Sequence, residues 1–216
     1  MWFAAGGSLA KDRSTDALFV VLILPDLKRL FRRANDALWT EAYRQVNRFR
    51  HAALQRRAVE QLSAAERPRR ILLICNANLC RSPYLEAVLR RNLADIEIRS
   101  AGIFGAGRRV QPDALVAAQD RGVDLSAHRS RLLNAAMLES ADLVIVMEPR
   151  QARLVTSAFR VPSERVIVAG DLDPDAGEPR MIVDPWGREP AAYAQAFARL
   201  ERCALQLVLL LPQAKG

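Results

Sequence analysis

The sequence predicts an α/β fold: a doubly wound, four-stranded parallel sheet flanked by helices on both faces, preceded by a helical N-terminal extension. Three observations support this prediction. From residue 69 onward, short apolar segments suited to buried strands alternate with helical patterns, which is typical of a parallel sheet. Residues 1–68 carry a separate helical pattern. The longest apolar run, Ala17–Leu24, has eight residues and is too short to span a membrane.

The predicted extension, residues 1–68, is basic as well as helical. Apolar residues recur at intervals of three and four from Leu27 to Ala53 and form one stripe. Residues 1–70 contain 14 Lys and Arg against 7 Asp and Glu, whereas residues 71–216 contain 18 against 17. This difference in net charge, together with the helix-breaking Pro68, predicts a domain boundary at residue 68 and a second domain over residues 69–216. The aliphatic stripe favours a helix packed against protein, and contact with an anionic membrane surface or an acidic partner stays open.

Composition also limits the partners and the compartment. No motif with a known groove-docking geometry is present, so no nucleic-acid partner is expected. The three cysteines are too few and odd in number for a disulfide framework, and no small-residue cleavage site follows the apolar run. We therefore expect a cytoplasmic protein.

Each element of the predicted α/β domain has its own sequence signal. Apolar, partly β-branched segments predict four strands: Arg70–Ile74, Ile96–Ser100, Leu143–Met147 and Arg165–Val168. Helical periodicity predicts five helices: Pro83–Leu93, Gln111–Arg121, Asn134–Ser140, Arg150–Ala158 and Glu189–Leu211. Sheets of this type bind ligands at the carboxyl ends of their strands, which is where residues directly after the first strand must lie.

The segment that follows the first strand carries a Cys-x5-Arg-Ser-Pro motif. Cys75 comes directly after the strand, and Pro83 suits the first turn of the next helix. Backbone N–H groups of such a loop converge on one point and, with the helix dipole, favour an anion. Arg81 adds a planar cation that fits phosphate oxygens, and a thiol in this field favours its ionised form. The motif predicts phosphoryl transfer to cysteine, with a buried structural Cys75 as the plainer alternative.

The loop assigns a role to each of its residues. We expect Cys75 to be the nucleophile, while Arg81 and the loop N–H groups hold the phosphate oxygens. The Ser82 hydroxyl is expected to donate to the Cys75 sulfur. Cys80 either forms a reversible disulfide with Cys75 or fills space beneath the loop. The residues predicted to contact substrate in the loop are Asn76, Ala77, Asn78, Leu79, Cys80 and Ser82. No metal and no cofactor is required.

The chain resembles the low-molecular-weight protein tyrosine phosphatases beyond this loop. Further segments follow in family order over residues 69–210: Arg-Ser-Ala-Gly at 99–102, Gly-Val-Asp-Leu at 122–125, His-Arg-Ser-Arg at 128–131, Ala-Asp-Leu-Val-Ile-Val-Met at 141–147 and Asp-Pro-Trp at 184–186. The resemblance implies a phosphocysteine intermediate and a phosphotyrosine-containing protein as substrate. It also implies that Asn78 braces the loop. Ala77 replaces the family's usual glycine, which costs about 1 kcal/mol if its φ is positive.

Two Asp-Pro pairs, Asp173–Pro174 and Asp184–Pro185, are candidates for the general acid that protonates the leaving group. We expect Asp184, because Trp186 follows it and the resemblance implies an aromatic wall for the substrate ring at that position. Asp173 lies in an acidic cluster that is typical of a solvated loop. That cluster lacks the regular ligand spacing of a metal site.

Three other functions are weighed against phosphotyrosine hydrolysis. Arsenate reduction on this fold needs further cysteines, and none occurs between Arg81 and Arg202. The resemblance implies that phosphoarginine hydrolases tend to carry Thr where Leu79 stands, so Leu79 favours phosphotyrosine. A phosphate-binding scaffold without activity is disfavoured because Cys75, Arg81 and Asp184 are all present.

Overall fold

A parallel sheet of four strands forms the centre of the protein. The structure, a computed structural model, describes residues 51–175 and 178–213. The strand order is β2-β1-β3-β4, and all neighbours pair in parallel. The strands are β1 (Arg70–Cys75), β2 (Glu97–Gly102), β3 (Leu143–Val146) and β4 (Val166–Val168). The four predicted strands are confirmed, with ends that differ by no more than about two residues.

Helices cover both faces of this sheet, as predicted. Residues 51–64 form helix α1, and the other helices are α2 (Arg81–Asn92), α3 (Pro112–Gln119), α4 (Ala135–Ser140), α5 (Pro149–Ala158) and α6 (Pro190–Leu210). Helix α2 begins two residues before the predicted start, because the Cys-x5-Arg loop runs directly into its first turn. The doubly wound fold class is confirmed.

The side chains of β1 show how the two layers are divided. Ile71, Leu73 and Cys75 pack into the core shared with α1, α2, α3 and α6, whereas Leu72 and Ile74 face the core of α4 and α5. This alternation is the period-two pattern of a strand buried on both faces. On the first face the Tyr84 and Phe197 rings stack with centroids 3.8 Å apart, which fixes α2 against α6.

The sheet order reverses next to β1. The chain passes from β1 to β2 on one side and returns to β3 on the other, so Cys75 lies at the topological switch point. In the register of the sheet Cys75 is level with Gly102, and Ile74 is level with Val146. The motif thus lies at the position where such sheets bind ligands.

Helix α1 is the described part of the predicted extension. Its residues Ala58 and Leu62, which lie beyond the predicted stripe, belong to the same core as α2 and α6, so α1 packs against the rest of the fold. Ala53, the last residue of the predicted stripe, is exposed, because the helix turns His51 rather than Ala53 toward the interior. The remainder of the stripe lies outside the described residues, and the boundary at residue 68 stays a prediction. Within the described ranges we find no helix with the length and apolarity needed to cross a bilayer.

Candidate active site

The Cys75 thiol is buried at the carboxyl end of β1, with only 3% of the residue exposed. Its sulfur accepts a hydrogen bond from the backbone N–H of Asn78 at 3.2 Å and one from the Ser82 hydroxyl at 3.0 Å. Hydrogen bonds donated to a sulfur stabilise its anionic form. The loop therefore directs one backbone and one side-chain hydrogen-bond donor at the Cys75 sulfur.

Asn78 holds the loop in shape from within. It is fully buried and has φ of 54°, a left-handed conformation that asparagine tolerates better than most residues. Its amide NH2 donates to the hydroxyl oxygens of Ser82, at 2.9 Å, and Ser100, at 2.7 Å. Its amide oxygen accepts from the backbone N–H of Arg131 at 2.9 Å and contacts the His128 ring at 3.2 Å. The bracing implied for Asn78 thus has matching contacts in the structure.

The loop also passes very close to β2. A Cβ atom added to Gly102 would lie 2.6 Å from the carbonyl carbon of Ala77 and 2.8 Å from the nitrogen of Asn78. Only glycine fits this approach. Ala77 itself is not among the described residues with positive φ, so the strain considered for it is absent and the left-handed position of the loop is Asn78.

Arg81 lies across the base of the loop and is 1% exposed. One terminal nitrogen donates to the Glu148 carboxylate at 2.8 Å and to the Ile182 carbonyl at 2.9 Å. The other donates to Oδ2 of Asp184. The Nε–H group is buried and has no hydrogen-bond partner among the described residues. The guanidinium is thus held by three acceptors, while its Nε–H has none in the part of the chain that the structure describes.

Glu148 is the buried counter-charge of Arg81. Burial by itself would raise the pKa of this carboxyl, but hydrogen bonds from Arg150, at 2.5 Å, and Arg81 hold the pKa below its usual value. Glu148 is also the N-cap of α5, where it forms a capping box with Gln151. Glu148 therefore stays ionised near neutral pH and fixes Arg81 to the start of α5.

Asp184 is brought to the loop by two side chains from the motif. Besides Arg81, the Asn76 amide donates to its Oδ2 at 2.9 Å. The Asp184 side chain remains 35% exposed, and Trp186, two residues on, is 53% exposed. The predicted acid and the predicted aromatic wall therefore both lie at the open side of the loop.

Asp173, the competing candidate, lies elsewhere. The expectation of a solvated acidic loop is wrong for this residue: it is fully buried, and it accepts hydrogen bonds from Arg199 at 2.7 Å and Arg202 at 2.9 Å. Burial would raise its pKa, yet the bonds from Arg202 and Arg199 hold the pKa below its usual value. No group of three or more potential metal ligands occurs in the described part of the chain. Asp173 is a structural ion-pair partner.

The two remaining loop residues, Leu79 and Cys80, are each only 4% exposed. The Cys80 thiol contacts the side-chain oxygen of Gln111 at 3.7 Å. Its pKa is raised, mainly because the thiol is buried and to a smaller extent because Cys75 is close by. Cys75 and Cys80 are both free thiols. These observations support the space-filling interpretation of Cys80.

Two residues of the site were missed from the sequence, Glu148 and Gln151. Both lie at the carboxyl end of β3, next to the Cys75 loop. The signal that points to them is the Glu-Pro-x-Gln sequence directly after an apolar strand, which is a capping pattern at a helix N-terminus.

A thiol accepting hydrogen bonds at the switch point of a parallel sheet, in one loop with a buried arginine, defines the class of cysteine-dependent phosphatases. The family described as low molecular weight phosphotyrosine protein phosphatase matches residues 70–215. The chain belongs to this family. It is accordingly a cysteine-dependent, metal-independent hydrolase.

Individual relatives agree with this assignment. The probable low molecular weight protein-tyrosine-phosphatase EpsP of Ralstonia nicotianae is 31% identical over 133 residues, which cover 61% of this chain and 88% of EpsP. The corresponding Etp of Escherichia coli K12 is 32% identical, over 62% of this chain and 88% of Etp. The tyrosine phosphatase AmsI of Erwinia amylovora superimposes with a TM-score of 0.61 at 29% identity, covering 68% of this chain and 95% of AmsI. An arginine phosphatase, YwlE of Geobacillus stearothermophilus, superimposes with a TM-score of 0.60 at 27% identity, covering 66% and 92%.

Proposed function

We propose that this protein hydrolyses phosphotyrosine in protein substrates through a phosphocysteine intermediate, with Cys75 as the nucleophile. The observation that carries the proposal is the pair of hydrogen bonds donated to the Cys75 sulfur by Asn78 and Ser82, at 3.2 and 3.0 Å. A sulfur that accepts two hydrogen bonds is prepared to bear a negative charge. Because an ionised thiol needs reducing surroundings, we place the reaction in the cytoplasm.

The phosphate group would be held by backbone N–H groups of residues 76–82 and by Arg81. The buried Nε–H of Arg81 has no acceptor among the described residues, which fits a phosphate oxygen as its partner. Glu148 fixes the guanidinium before substrate arrives, so little reorganisation is needed as charge develops on the phosphoryl oxygens.

In the first step the Cys75 sulfur forms a bond to phosphorus while the bond from phosphorus to the phenolic oxygen breaks. Asp184 gives its proton to that oxygen, so that tyrosine leaves as a neutral phenol. In the second step water attacks phosphorus and transfers a proton to Asp184, and the bond between sulfur and phosphorus breaks to release inorganic phosphate. Asp184 is suited to both transfers because it lies next to the Cys75 loop and is partly exposed, so that it can reach both the leaving group and water.

Phosphoarginine is the second candidate substrate, because solved arginine phosphatases superimpose on this chain as closely as tyrosine phosphatases do. Two residues favour phosphotyrosine. Trp186 offers an exposed indole beside Asp184, which suits stacking on a phenyl ring. Leu79 provides an apolar side chain in the loop where, by resemblance, the arginine phosphatases tend to carry a hydroxyl group.

Hydrolysis of p-nitrophenyl phosphate by the wild type and by Cys75→Ser tests the nucleophile. We expect kcat/KM to fall at least about 1,000-fold in Cys75→Ser. Cys203→Ala, which alters a cysteine in the core of α6, is the matched control and should retain activity. Mass spectrometry of the acid-quenched wild type should show one phosphate on the peptide that contains Cys75. Activity that survives in Cys75→Ser would overturn the proposal.

A parallel assay separates the two substrates. A phosphotyrosyl peptide and a phosphoarginyl peptide of the same sequence are compared by their kcat/KM values. We expect at least about a 10-fold preference for phosphotyrosine, and a preference for phosphoarginine would reassign the substrate.

A further inference from the structure

We propose that Asn76 is a positioning residue that holds the carboxyl group of Asp184 at the reaction centre, and that Gln151 fixes the orientation in which Asn76 does so. This inference rests on the proposed function, in which Asp184 is the general acid. The Asn76 side chain links the Cys75 loop to the segment that carries Asp184, because its amide NH2 lies 2.9 Å from Oδ2 of Asp184.

The orientation of the Gln151 amide is set by the backbone. Its oxygen accepts hydrogen bonds from the N–H groups of Met147, at 2.9 Å, and Glu148, at 3.1 Å. Since the oxygen is engaged there, the NH2 group of Gln151 must point the other way, where it donates to the Asn76 oxygen at 2.9 Å. Gln151 is 1% exposed, so water does not offer it an alternative arrangement.

This arrangement in turn sets the orientation of Asn76. With its oxygen engaged by Gln151, the Asn76 NH2 faces two carboxylates: Asp184 at 2.9 Å and Glu148 at 3.3 Å. A flipped amide would place the oxygen against both carboxylates and the NH2 against the NH2 of Gln151. Every contact of the flipped form would be repulsive, so a single orientation is stable.

The position of Asn76 matters most after substrate binds. In the structure Arg81 and Asn76 both donate to Oδ2 of Asp184, and the backbone N–H of Trp186 lies 3.3 Å from Oδ1. A bound phosphate competes with Asp184 for the Arg81 guanidinium, whereas the Asn76 side chain stays available. The amide then retains Asp184 through Oδ2, and Oδ1, which keeps only the longer contact from the Trp186 N–H among the bonds described above, carries the transferable proton.

The dependence of kcat/KM on the leaving group distinguishes a displaced general acid from a general loss of enzyme structure. Phenyl phosphate needs protonation of a poor leaving group, whereas 2,4-dinitrophenyl phosphate releases a stable anion without an acid. We expect Asn76→Ala to lower kcat/KM for phenyl phosphate about 10-fold and to change kcat/KM for 2,4-dinitrophenyl phosphate by less than about twofold. The ratio of the two values does not depend on the fraction of folded enzyme, so partial misfolding cannot imitate the result.

A second variant tests the orientation itself. The new carboxylate of Gln151→Glu still accepts the two backbone N–H groups but cannot donate to Asn76, so the Asn76 amide should turn away from Asp184. We expect the same selective loss for phenyl phosphate. Gln119→Glu makes the same change at an exposed position on α3 and should leave the ratio unchanged.

Asp184→Ala is the reference for every outcome. It should lower kcat/KM for phenyl phosphate about 100-fold or more and spare the dinitrophenyl ester. If Asp184→Ala is selective while Asn76→Ala affects both substrates equally or neither, the inference about Asn76 is overturned and the proposed function stands. If Asp184→Ala shows no selectivity, the acid assignment fails and the inference fails with it.

Discussion

The protein contains two arginine–carboxylate clusters, each with an aspartate that precedes a proline. One cluster lies at the candidate active site and the other lies away from it. The site cluster contains Arg81, Glu148 and Asp184. The buttress cluster contains Asp173, Arg199 and Arg202, and its Arg199 also donates to the carbonyls of Met181, at 2.9 Å, and Pro179. Both clusters contain an arginine that is at most 5% exposed.

The clusters differ in how completely their polar groups are satisfied. In the buttress cluster Asp173 is fully buried, and all three guanidinium nitrogens of Arg199 have acceptors. In the site cluster Asp184 is 35% exposed and the Nε–H of Arg81 has no acceptor in the described ranges. A saturated cluster can only stabilise the fold, whereas an unsaturated one retains capacity for a ligand. Saturation, more than charge or sequence context, separates the two roles.

Removing the buried carboxylate of the buttress cluster should produce the largest effect. In Asp173→Ala two arginines lose their partner, and we expect the free energy of unfolding to fall by about 3–5 kcal/mol. Urea denaturation followed by circular dichroism measures this loss. Glu139→Ala, at an exposed position of α4, is the control and should change stability by less than about 0.5 kcal/mol. An Asp173→Ala variant as stable as the wild type would contradict the structural role of this ion pair.

Matched Arg→Lys changes compare the clusters directly. Lysine keeps the charge but loses the planar fork, so Arg81→Lys should lower kcat/KM for p-nitrophenyl phosphate roughly 100- to 1,000-fold. Arg199→Lys should lower the unfolding midpoint while the folded enzyme keeps a kcat/KM within about threefold of the wild type. Equal losses of activity in both variants would show that the two clusters do not differ in role.

The pH dependence of stability offers a finer test. The pKa of Asp173 is lower in the folded protein than its usual value of 3.8, so the unfolded chain binds the proton more readily. The stabilisation from this carboxylate is therefore complete well above pH 3.8 and is lost as the pH falls below it toward the folded pKa. Urea midpoints measured from about pH 6 to about pH 3 should fall more steeply for the wild type than for Asp173→Asn. Parallel curves would contradict this.

The smallest effect is expected within the loop. Because Ala77 does not have a positive φ, glycine relieves no strain there. We expect Ala77→Gly to leave kcat/KM within about twofold of the wild type and to cost about 0.5–1 kcal/mol of stability through greater freedom of the unfolded chain. A marked gain in kcat/KM would show that the Ala77 methyl group disturbs the loop.

The sequence predicted the sheet and the helices well because their signals are local. Buried strands such as β3 are short apolar runs, and the Cys75 loop is identified by seven consecutive residues. Asp173 was misjudged because its partners, Arg199 and Arg202, lie 26 and 29 residues away, and only the fold brings them together.

The same limit applies to the network around Asn76. Its partners Gln151 and Asp184 are 75 and 108 residues distant, so no local pattern connects them. The sequence indicated that Trp186 follows Asp184, which, together with the family resemblance, was enough to choose Asp184 over Asp173. It could not indicate which side chain donates to Asp184, because that depends on amide geometry in the folded state.

Because Gly102 lies so close to the Cys75 loop, the activity of the site depends on the order in which the strands pair during folding. Since the backbone of β2 lies against Ala77 and Asn78, the loop gains its supporting wall only when β2 has paired with β1. That parallel pairing requires the whole α2 crossover to be in place. The return of phosphatase activity during refolding should therefore report when β2 pairs with β1. It should occur later than the recovery of the helical circular dichroism signal.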